Sequence, residues 1–257
     1  MPPVGVRSSN RRDSEMITYQ GSKQRYAADI QRALQSFGTD YWNLPFVEGC
    51  CGSAAVSAYI GKPVTLIDMG PWGRFWEAVK EFSLDIAGGP VNRLLDYEGW
   101  VRYAVEVPVP VSPIEFAYTF LALQREAFRG KPVGIMGNQW VHPGFRDSFS
   151  EKKWRAGLLE TRRVKIVEAS RDNLNHKTLN ISNIYIDPDY ENTTGYNDRT
   201  LDIKSFVRRH THCNLIVSHH TEIPDVEWDE VRIITQKGRQ NSAKDNSERL
   251  HIKRRKA

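Results

Sequence analysis

Short apolar runs, of the length of buried β-strands, recur in the first third and the last third of the chain. The first two are "LPFV", which predicts a strand ending near Val47, and "PVTLI". The later ones are "VKIVEA", "NIYID", "NLIVSH" and "EVRIIT". A helix beginning near Ser53 is predicted between the first two strands. Strand, small-residue loop, helix and strand in this order are typical of a parallel βαβ unit.

Helical spacing of apolar residues is found before and between these strand-forming regions. "KQRYAADIQRAL" predicts a helix from about Lys23 to Leu34 that is closed by Gly38. In the middle, "AYTFLALQREAFRG" predicts a second helix, whereas "GNQWVHPGFRDSFSEKKW" predicts a loop. We therefore expect an α/β domain made of residues 16–84 and 161–250, interrupted by a mostly helical insert at 85–160. The predicted ends are a disordered leader at 1–15 and a basic tail at 251–257.

Composition narrows the class of protein. The length of 257 residues, with 40% hydrophobic and 11% aromatic residues, suits a folded protein with one core and an inserted subdomain. A net charge of +5 permits a polyanionic partner without demanding one. The three cysteines form neither a disulfide framework nor a CxxC metal pair, and no apolar run approaches membrane-spanning length. These features predict a cytoplasmic protein.

The first stretch that suggests chemistry is "FVEGCCGSAAVS". A loop of small residues between a strand and a helix lets backbone amides approach a ligand, as mononucleotide-type sites require. A tight packing turn would also explain these residues. Asp68 ends the next predicted strand, where an acid accepts hydrogen bonds from a ribose or caps a helix.

The second stretch is "NIYIDPDYENTTGYN". Asp187 and Pro188 follow a predicted strand and should therefore lie at its carboxyl end, where open α/β sheets bind their ligands. Because Pro188 holds the backbone extended, its carbonyl and the Asp187 carboxylate form a two-acceptor cradle for an amino group. Tyr190 supplies a stacking face for a planar base. An ordinary strand-ending turn is the alternative.

Five segments in a fixed order resemble the Dam-like class of adenine-specific DNA methyltransferases found in bacteria and phages. They are "ITYQGSKQRYA", "FVEGCCGSAAV", "LIDMG", "IYIDPDYENTTGYN" and "ERLHI". The resemblance implies a Rossmann-like methyltransferase fold, S-adenosylmethionine as cofactor, and an insert that recognises double-stranded DNA. It implies methyl transfer to adenine N6 after the base is flipped out of the duplex.

The resemblance also assigns cofactor-binding positions. These are Tyr19, Gly21, Ser22 and Lys23 at the methionine end, Phe46, Glu48 and Gly52 in the loop beneath the cofactor, and Asp68 at the ribose. In "IVEASRDNL" the acid expected at the adenine is Asp172, although Ser170 is an alternative aligned position.

Catalysis is assigned to Asp187, Pro188 and Tyr190. Asp187 and the Pro188 carbonyl would hold the target amine, and Tyr190 would stack on the flipped adenine. The residues of the insert that offer DNA contacts are Asn138, Trp140, His142, Arg146, Lys152, Lys153 and Arg155. A solvated basic surface is the alternative for each of them. His219 and His220 lack further ligands at suitable spacing, so no metal is predicted.

The chain departs from the family pattern in two loops. Gly49 and Cys50 stand where the family usually has Pro and Phe, and Ala54 where it often has Gly. Asp189 stands in place of a second Pro and adds a carboxylate whose burial is costly unless it is paired or faces water. Two alternatives therefore stay open: a catalytically silent DNA- or partner-binding protein, and a methyltransferase acting on another exocyclic amine such as cytosine N4.

Overall fold

A seven-stranded, mostly parallel sheet flanked by helices forms the centre of the molecule. The computed structural model describes residues 22–82, 84, 107–127, 131, 133–141, 144, 150–188, 201–235 and 247–256. The strands are β1 Phe46–Gly49, β2 Pro63–Ile67, β3 Gly134–Met136, β4 Gln139–Val141, β5 Lys165–Ser170, β6 Asn183–Ile186, β7 Asn214–His219, β8 Glu230–Thr235 and β9 Ser247–Lys253. A 3-10 helix spans Lys23–Tyr26. The α-helices are α1 Ala27–Gln35, α2 Thr39–Asn43, α3 Ala55–Ile60, α4 Pro71–Phe82, α5 Pro113–Glu126, α6 Glu151–Thr161 and α7 Ile203–Arg209.

The strand order is β5-β2-β1-β6-β7-β9-β8. The first five strands are parallel, and β9 is antiparallel to both of its neighbours. The predicted α/β class and the predicted parallel βαβ unit, here β1-α3-β2, are confirmed, and the arrangement is compatible with a Rossmann-like fold. From β1 the chain builds the sheet first toward β5 and then, from β6, in the opposite direction. The carboxyl ends of β1 and β6 therefore flank the switch point at which such sheets bind ligands.

The segment "GNQWVHPGFRDSFSEKKW" is not the continuous loop that the sequence predicted. Gly134–Met136 and Gln139–Val141 pair as an antiparallel hairpin, and α6 begins at Glu151. Gly137, with φ of +63°, makes the tight turn of the hairpin. Strands of three residues carry too little alternation to be distinguished from a loop by pattern.

Strand β9 was not predicted as a strand. It continues to Lys253, three residues into the range 251–257 that the sequence analysis assigned to a basic tail. Within it, Glu248, Leu250 and Ile252 are all buried, as alternate residues on one face of a strand should be.

Two hydrophobic clusters lie on opposite faces of the sheet. In β6, Tyr185 belongs to one cluster while Ile184 and Ile186 belong to the other, and in β1 Phe46 and Val47 divide in the same way. This follows from the period of two in a strand, which sends successive side chains to opposite faces.

Helices α4 and α5 extend the first of these clusters. The rings of Trp72 and Phe120 meet edge-on with centroids 4.9 Å apart, and Phe75 lies 5.8 Å from Phe120. Arg74 adds a cation-π contact, with its guanidinium carbon 4.0 Å from the centre of the Phe116 ring. The described part of the predicted insert therefore shares a core with the α/β sheet.

A polar network closes the amino ends of β6 and β7. Asn214 Nδ2 donates to Asn183 Oδ1 at 2.9 Å, and Asn183 Nδ2 donates to the Asp40 carbonyl at 2.7 Å. Arg255 Nε donates to Asp40 Oδ2 at 2.6 Å, and this hydrogen bond lowers the pKa of Asp40. Asn and Asp side chains at this end of the sheet are thus engaged with one another.

Two helical glycines give a matched stability test. A Cβ on Gly73 of α4 would lie 1.8 Å from the Asp68 carbonyl oxygen, whereas a Cβ on Gly157 of α6 would make ordinary contacts at 3.4–3.5 Å. We expect Gly73→Ala to lower the free energy of unfolding by about 3 kcal/mol, because backbone must move. Gly157→Ala should be neutral or stabilising by about 0.5–1 kcal/mol. Equal effects of the two changes in urea unfolding would contradict the tight α4 contact.

Candidate active site

The loop that follows β1 turns sharply through three left-handed residues. They are Cys50, Gly52 and Ala54, with φ of 52°, 47° and 51°. Only the glycine adopts this conformation without a steric cost, and each of the other two costs on the order of 1 kcal/mol. Such strain persists where surrounding contacts enforce it.

Asp68, at the carboxyl end of β2, makes one of these contacts. Its Oδ2 accepts from the Gly52 backbone N–H and its Oδ1 from that of Gly70, both at 2.9 Å. Burial raises the pKa of Asp68, and the two backbone donors oppose this rise. Trp76 of α4 donates from Nε1 to the Gly52 carbonyl at 2.8 Å. The loop is therefore fixed to the end of β2 and to α4.

Glu48 is buried beneath the same loop. Its Oε2 accepts from the backbone N–H of Ser57 in α3, at 2.9 Å, and from the Ser57 hydroxyl. Burial, the largest cause, raises the pKa of Glu48 to about 8, and the nearby Asp187 and Asp68 carboxylates raise it further. Glu48 is therefore mostly protonated at neutral pH.

A buried ion cluster, formed by Lys23, Asp187 and Glu248, adjoins Glu48. Lys23 Nζ lies 2.9 Å from Asp187 Oδ1 and 3.4 Å from Glu248 Oε2, and the Lys23 side chain is only 8% exposed. Asp187 directly follows β6, and its backbone N–H donates to the Gly49 carbonyl at 3.4 Å. The fold thus brings a residue from the start of the described chain to the carboxyl end of β6.

Two clefts open on either side of Cys50. The β1–β6 cleft is lined by Ser22, Lys23, Glu48, Cys50, Cys51, Gly52, Ser53, Ala55, Val56, Tyr185 and Asp187. The β2–β5 cleft is lined by Cys50, Ile67, Asp68, Met69, Asp172, Asn173, Leu174, Asn175 and Leu201. Both lie at the carboxyl ends of the parallel strands, so an elongated ligand passing Cys50 could occupy them together.

The predicted cofactor residues divide between these clefts. Ser22, Lys23, Glu48 and Gly52 line the β1–β6 cleft, whereas Asp68 and Asp172 line the β2–β5 cleft. Phe46 lies in the hydrophobic core. Tyr19 and Gly21 lie outside the described residues.

Asp172 and Ser170, the two alternative positions for the residue expected at the cofactor's adenine, have different environments. Asp172 lines the β2–β5 cleft, and Ser170 is the last residue of β5 and is not among the lining residues. Lys177 Nζ pairs with the Asp172 carboxylate, and this hydrogen bond lowers the pKa of Asp172. Asp172 is therefore an ionised group at the mouth of this cleft.

Among the predicted catalytic residues, Asp187 lies in the β1–β6 cleft and Pro188 follows it, while Tyr190 lies outside the described residues. The departure Asp189 also lies outside them. One acceptor of the predicted cradle, Asp187, is thus itself a member of the buried ion cluster.

The candidate DNA-binding residues have different environments. Asn138 is exposed in the hairpin turn, Lys152 is exposed on α6, and Arg155 is half-buried on the same helix. Trp140 instead packs in the core, with its ring stacked 5.5 Å from that of Phe116 and 9% of its surface exposed. His142 and Arg146 lie outside the described residues, as does the side chain of Lys153.

Glu248 and Ser218 belong to the site and were not singled out from the sequence. Ser218 Oγ donates to Glu248 Oε1 at 2.9 Å. The available signal is the alternation in "SERLHIK", which places Glu248 on the same strand face as Leu250 and Ile252. An acid on the apolar face of a strand is a candidate buried functional group.

His219 and His220 stack on each other, with ring centroids 5.0 Å apart. Within the described ranges, no three His, Cys, Asp or Glu side chains are grouped closely enough to hold a metal ion. Nor does any helix in those ranges have the length and apolar character needed to cross a membrane.

The raised pKa of Glu48 predicts a specific pH dependence of stability. Folded Glu48 keeps its proton up to about pH 8, whereas the unfolded side chain loses it near 4.5, so stability is lost as the pH rises through this window. Relative to the wild type, the free energy of unfolding of Glu48→Gln should increase as the pH rises from 5 to 8, by on the order of 3–5 kcal/mol over the whole window. Urea unfolding at several pH values measures the difference. Glu168→Gln, at an exposed position of β5, is the control and should give a constant difference.

Comparison of the chain with models of known protein families and with curated proteins gives no match. Its function is therefore inferred from the chemistry of the two clefts and from the order of the motifs that line them.

Proposed function

We propose that the protein is a DNA methyltransferase that transfers the methyl group of S-adenosylmethionine to adenine N6. The observation that carries this proposal is the meeting of Lys23, Glu48 and Asp187 in one cleft at the switch point of a parallel sheet. These residues come from three of the ordered motif segments, and the class needs those segments at one place.

The donor set of the two clefts fits the proposed cofactor. Asp68 has a backbone donor on each oxygen and a second lone pair on each, which suits ribose hydroxyls. The β1–β6 cleft offers the Lys23 ammonium for a carboxylate. S-adenosylmethionine carries a carboxylate, an ammonium and a sulfonium, and it supplies an electrophilic methyl group when bound.

The chain's own residues contribute position and electrostatics. The exocyclic amine of adenine is a poor nucleophile because its lone pair is delocalised into the ring. Two acceptors, the Asp187 carboxylate and the Pro188 carbonyl, would hold the two amine hydrogens and leave the lone pair directed at the electrophile. Lys23, whose Nζ lies 2.9 Å from Asp187 Oδ1, orients that carboxylate.

Duplex DNA as the substrate accords with the charge of the chain and with its exposed polar groups. Lys152 on α6 and the hairpin turn at Asn138 are available for phosphate or base contacts. Reaching the adenine amine requires flipping the base, at a cost of a few kcal/mol that stacking and phosphate contacts offset. Trp140, which packs in the core, is not part of this proposed surface.

The same two-acceptor cradle suits other exocyclic amines, so the labelled product must be identified chemically. The experiment incubates the protein with methyl-labelled S-adenosylmethionine and unmethylated genomic duplex DNA, digests the DNA and separates the nucleosides. Label in N6-methyldeoxyadenosine is the expected result. Label in N4-methylcytosine would change the acceptor, and cofactor binding without transfer would support the catalytically silent alternative.

Asp187→Asn should reduce methyl transfer by about 100-fold or more, because the uncharged amide is a weaker acceptor for the target amine. The dissociation constant of the cofactor, measured by calorimetry, should change by less than about threefold. Asp225→Asn is the matched control, since Asp225 is an exposed acid that also pairs with a lysine, Lys204. Near-normal turnover in Asp187→Asn would show that Asp187 is not the amine acceptor.

A further inference from the structure

Glu248 lies on a different element from Lys23 and Asp187, the other two members of the buried ion cluster. It lies on β9, where Ile234 of β8 is its register partner, and β9 is paired on its other side with β7. Its two oxygens have separate partners: Ser218 Oγ donates to Oε1 at 2.9 Å, and Lys23 Nζ lies 3.4 Å from Oε2. The carboxylate is therefore held by a strand with neighbours on both sides.

A second buried carboxylate on Lys23 is not what stability alone favours. Removing a carboxylate from water costs several kcal/mol, and replacing buried ionic groups by apolar residues often stabilises a protein. Lys23 already has Asp187 at 2.9 Å. With Lys23, Asp187 and Glu248 all ionised, these three side chains together carry one net negative charge.

Among the described residues, three titratable groups beside this cluster are neutral near pH 7. They are Glu48 from β1, Tyr185 from β6 and Tyr26 from the 3-10 helix. Burial raises the pKa of Glu48 to about 8, and burial is also the largest cause of the raised pKa of each tyrosine.

We propose that Glu248 is a positioning residue for methyl transfer, acting through Lys23 on Asp187. A lysine ammonium stands on a flexible four-carbon stem, and a second carboxylate on a paired strand fixes its position. Glu248 also interacts with the positive charge of Lys23. Because Lys23 is shared between two carboxylates, it neutralises Asp187 less completely, and Asp187 is a stronger acceptor for the target amine. The inference rests on the proposed function. It adds Glu248, a residue of β9, to the residues that position the target amine.

The test variant is Glu248→Gln, which keeps the shape of the side chain and removes its charge. The control is Glu222→Gln, because the Glu222 side chain is 84% exposed and lies at the same end of the sheet. Single-turnover methyl transfer to unmethylated genomic DNA is measured from pH 5 to pH 9. In Glu248→Gln the transfer rate should fall about 10- to 100-fold while cofactor affinity stays within about threefold. The acidic limb of the pH profile should move to lower pH by about one unit, because Asp187 loses a like-charged neighbour. Glu222→Gln should match the wild type.

Labelling of Lys23 by acetic anhydride, quantified by mass spectrometry, gives a second readout that needs no activity. Loss of one carboxylate makes the Lys23 amine easier to deprotonate, so its labelling rate should rise about tenfold in Glu248→Gln. Ser218→Ala, which removes the hydroxyl that donates to Glu248 and keeps the carboxylate, should lower the transfer rate by less than Glu248→Gln and leave Lys23 labelling near the wild-type rate. It serves if Glu248→Gln does not fold, and a wild-type transfer rate in Ser218→Ala would contradict the positioning role.

The outcomes separate the two proposals. A wild type that transfers no methyl group overturns the proposed function, and with it the catalytic role of Glu248, while increased Lys23 labelling would still establish the charge coupling. An active wild type with an unshifted acidic limb and unchanged Lys23 labelling in Glu248→Gln would show that Glu248 is only structural. A lower melting temperature alone would support that structural reading.

Discussion

The geometry of the site depends on one hydrogen bond, from the Gly52 backbone N–H to Asp68 Oδ2. It ties the loop after β1 to the end of β2 and, with the bond from Trp76 to the Gly52 carbonyl, holds Cys50 and Ala54 in left-handed conformations. Without this tie the strained residues could relax toward ordinary backbone angles. Cys50 lines both clefts, so the shape of both depends on the conformation of this loop. Asp68 is thus a structural clamp and a cleft-lining group at once.

Burial of charge is the second constraint. Glu48, Asp187 and Glu248 converge near the carboxyl ends of β1 and β6, and so many negative charges could not all be retained there in a low dielectric. The fold meets this constraint by two routes. Glu48 stays protonated, while Lys23 neutralises part of the charge of the other two. The remaining negative charge is suited to a ligand with cationic groups, which accords with the proposed cofactor.

The sequence predicted much of the sheet because buried parallel strands are continuous apolar runs: β7, for example, spans the predicted "NLIVSH". Strand β9 was missed because it alternates buried residues with Arg249 and Lys253, so that it lacks such a run. Trp140 was assigned to a DNA surface because its neighbours are polar, yet it stacks on Phe116. The pairing of Lys23 with Asp187 needs the strand order, which no local pattern contains.

The two ends of the sheet give an argument for function that does not depend on the motifs. At the amino ends of β6 and β7, Asn183 and Asn214 bond to each other and to Asp40, which is an economical way to satisfy buried polar groups. At the carboxyl ends the chain instead buries ionisable groups and strains its backbone beside two clefts. If polar groups served only to stabilise the fold, hydrogen bonds among Asn and Asp side chains, as at the amino ends, would be sufficient at both ends of the sheet. The buried ionisable groups and the strained backbone are concentrated where open α/β sheets bind ligands, which accords with the proposed function.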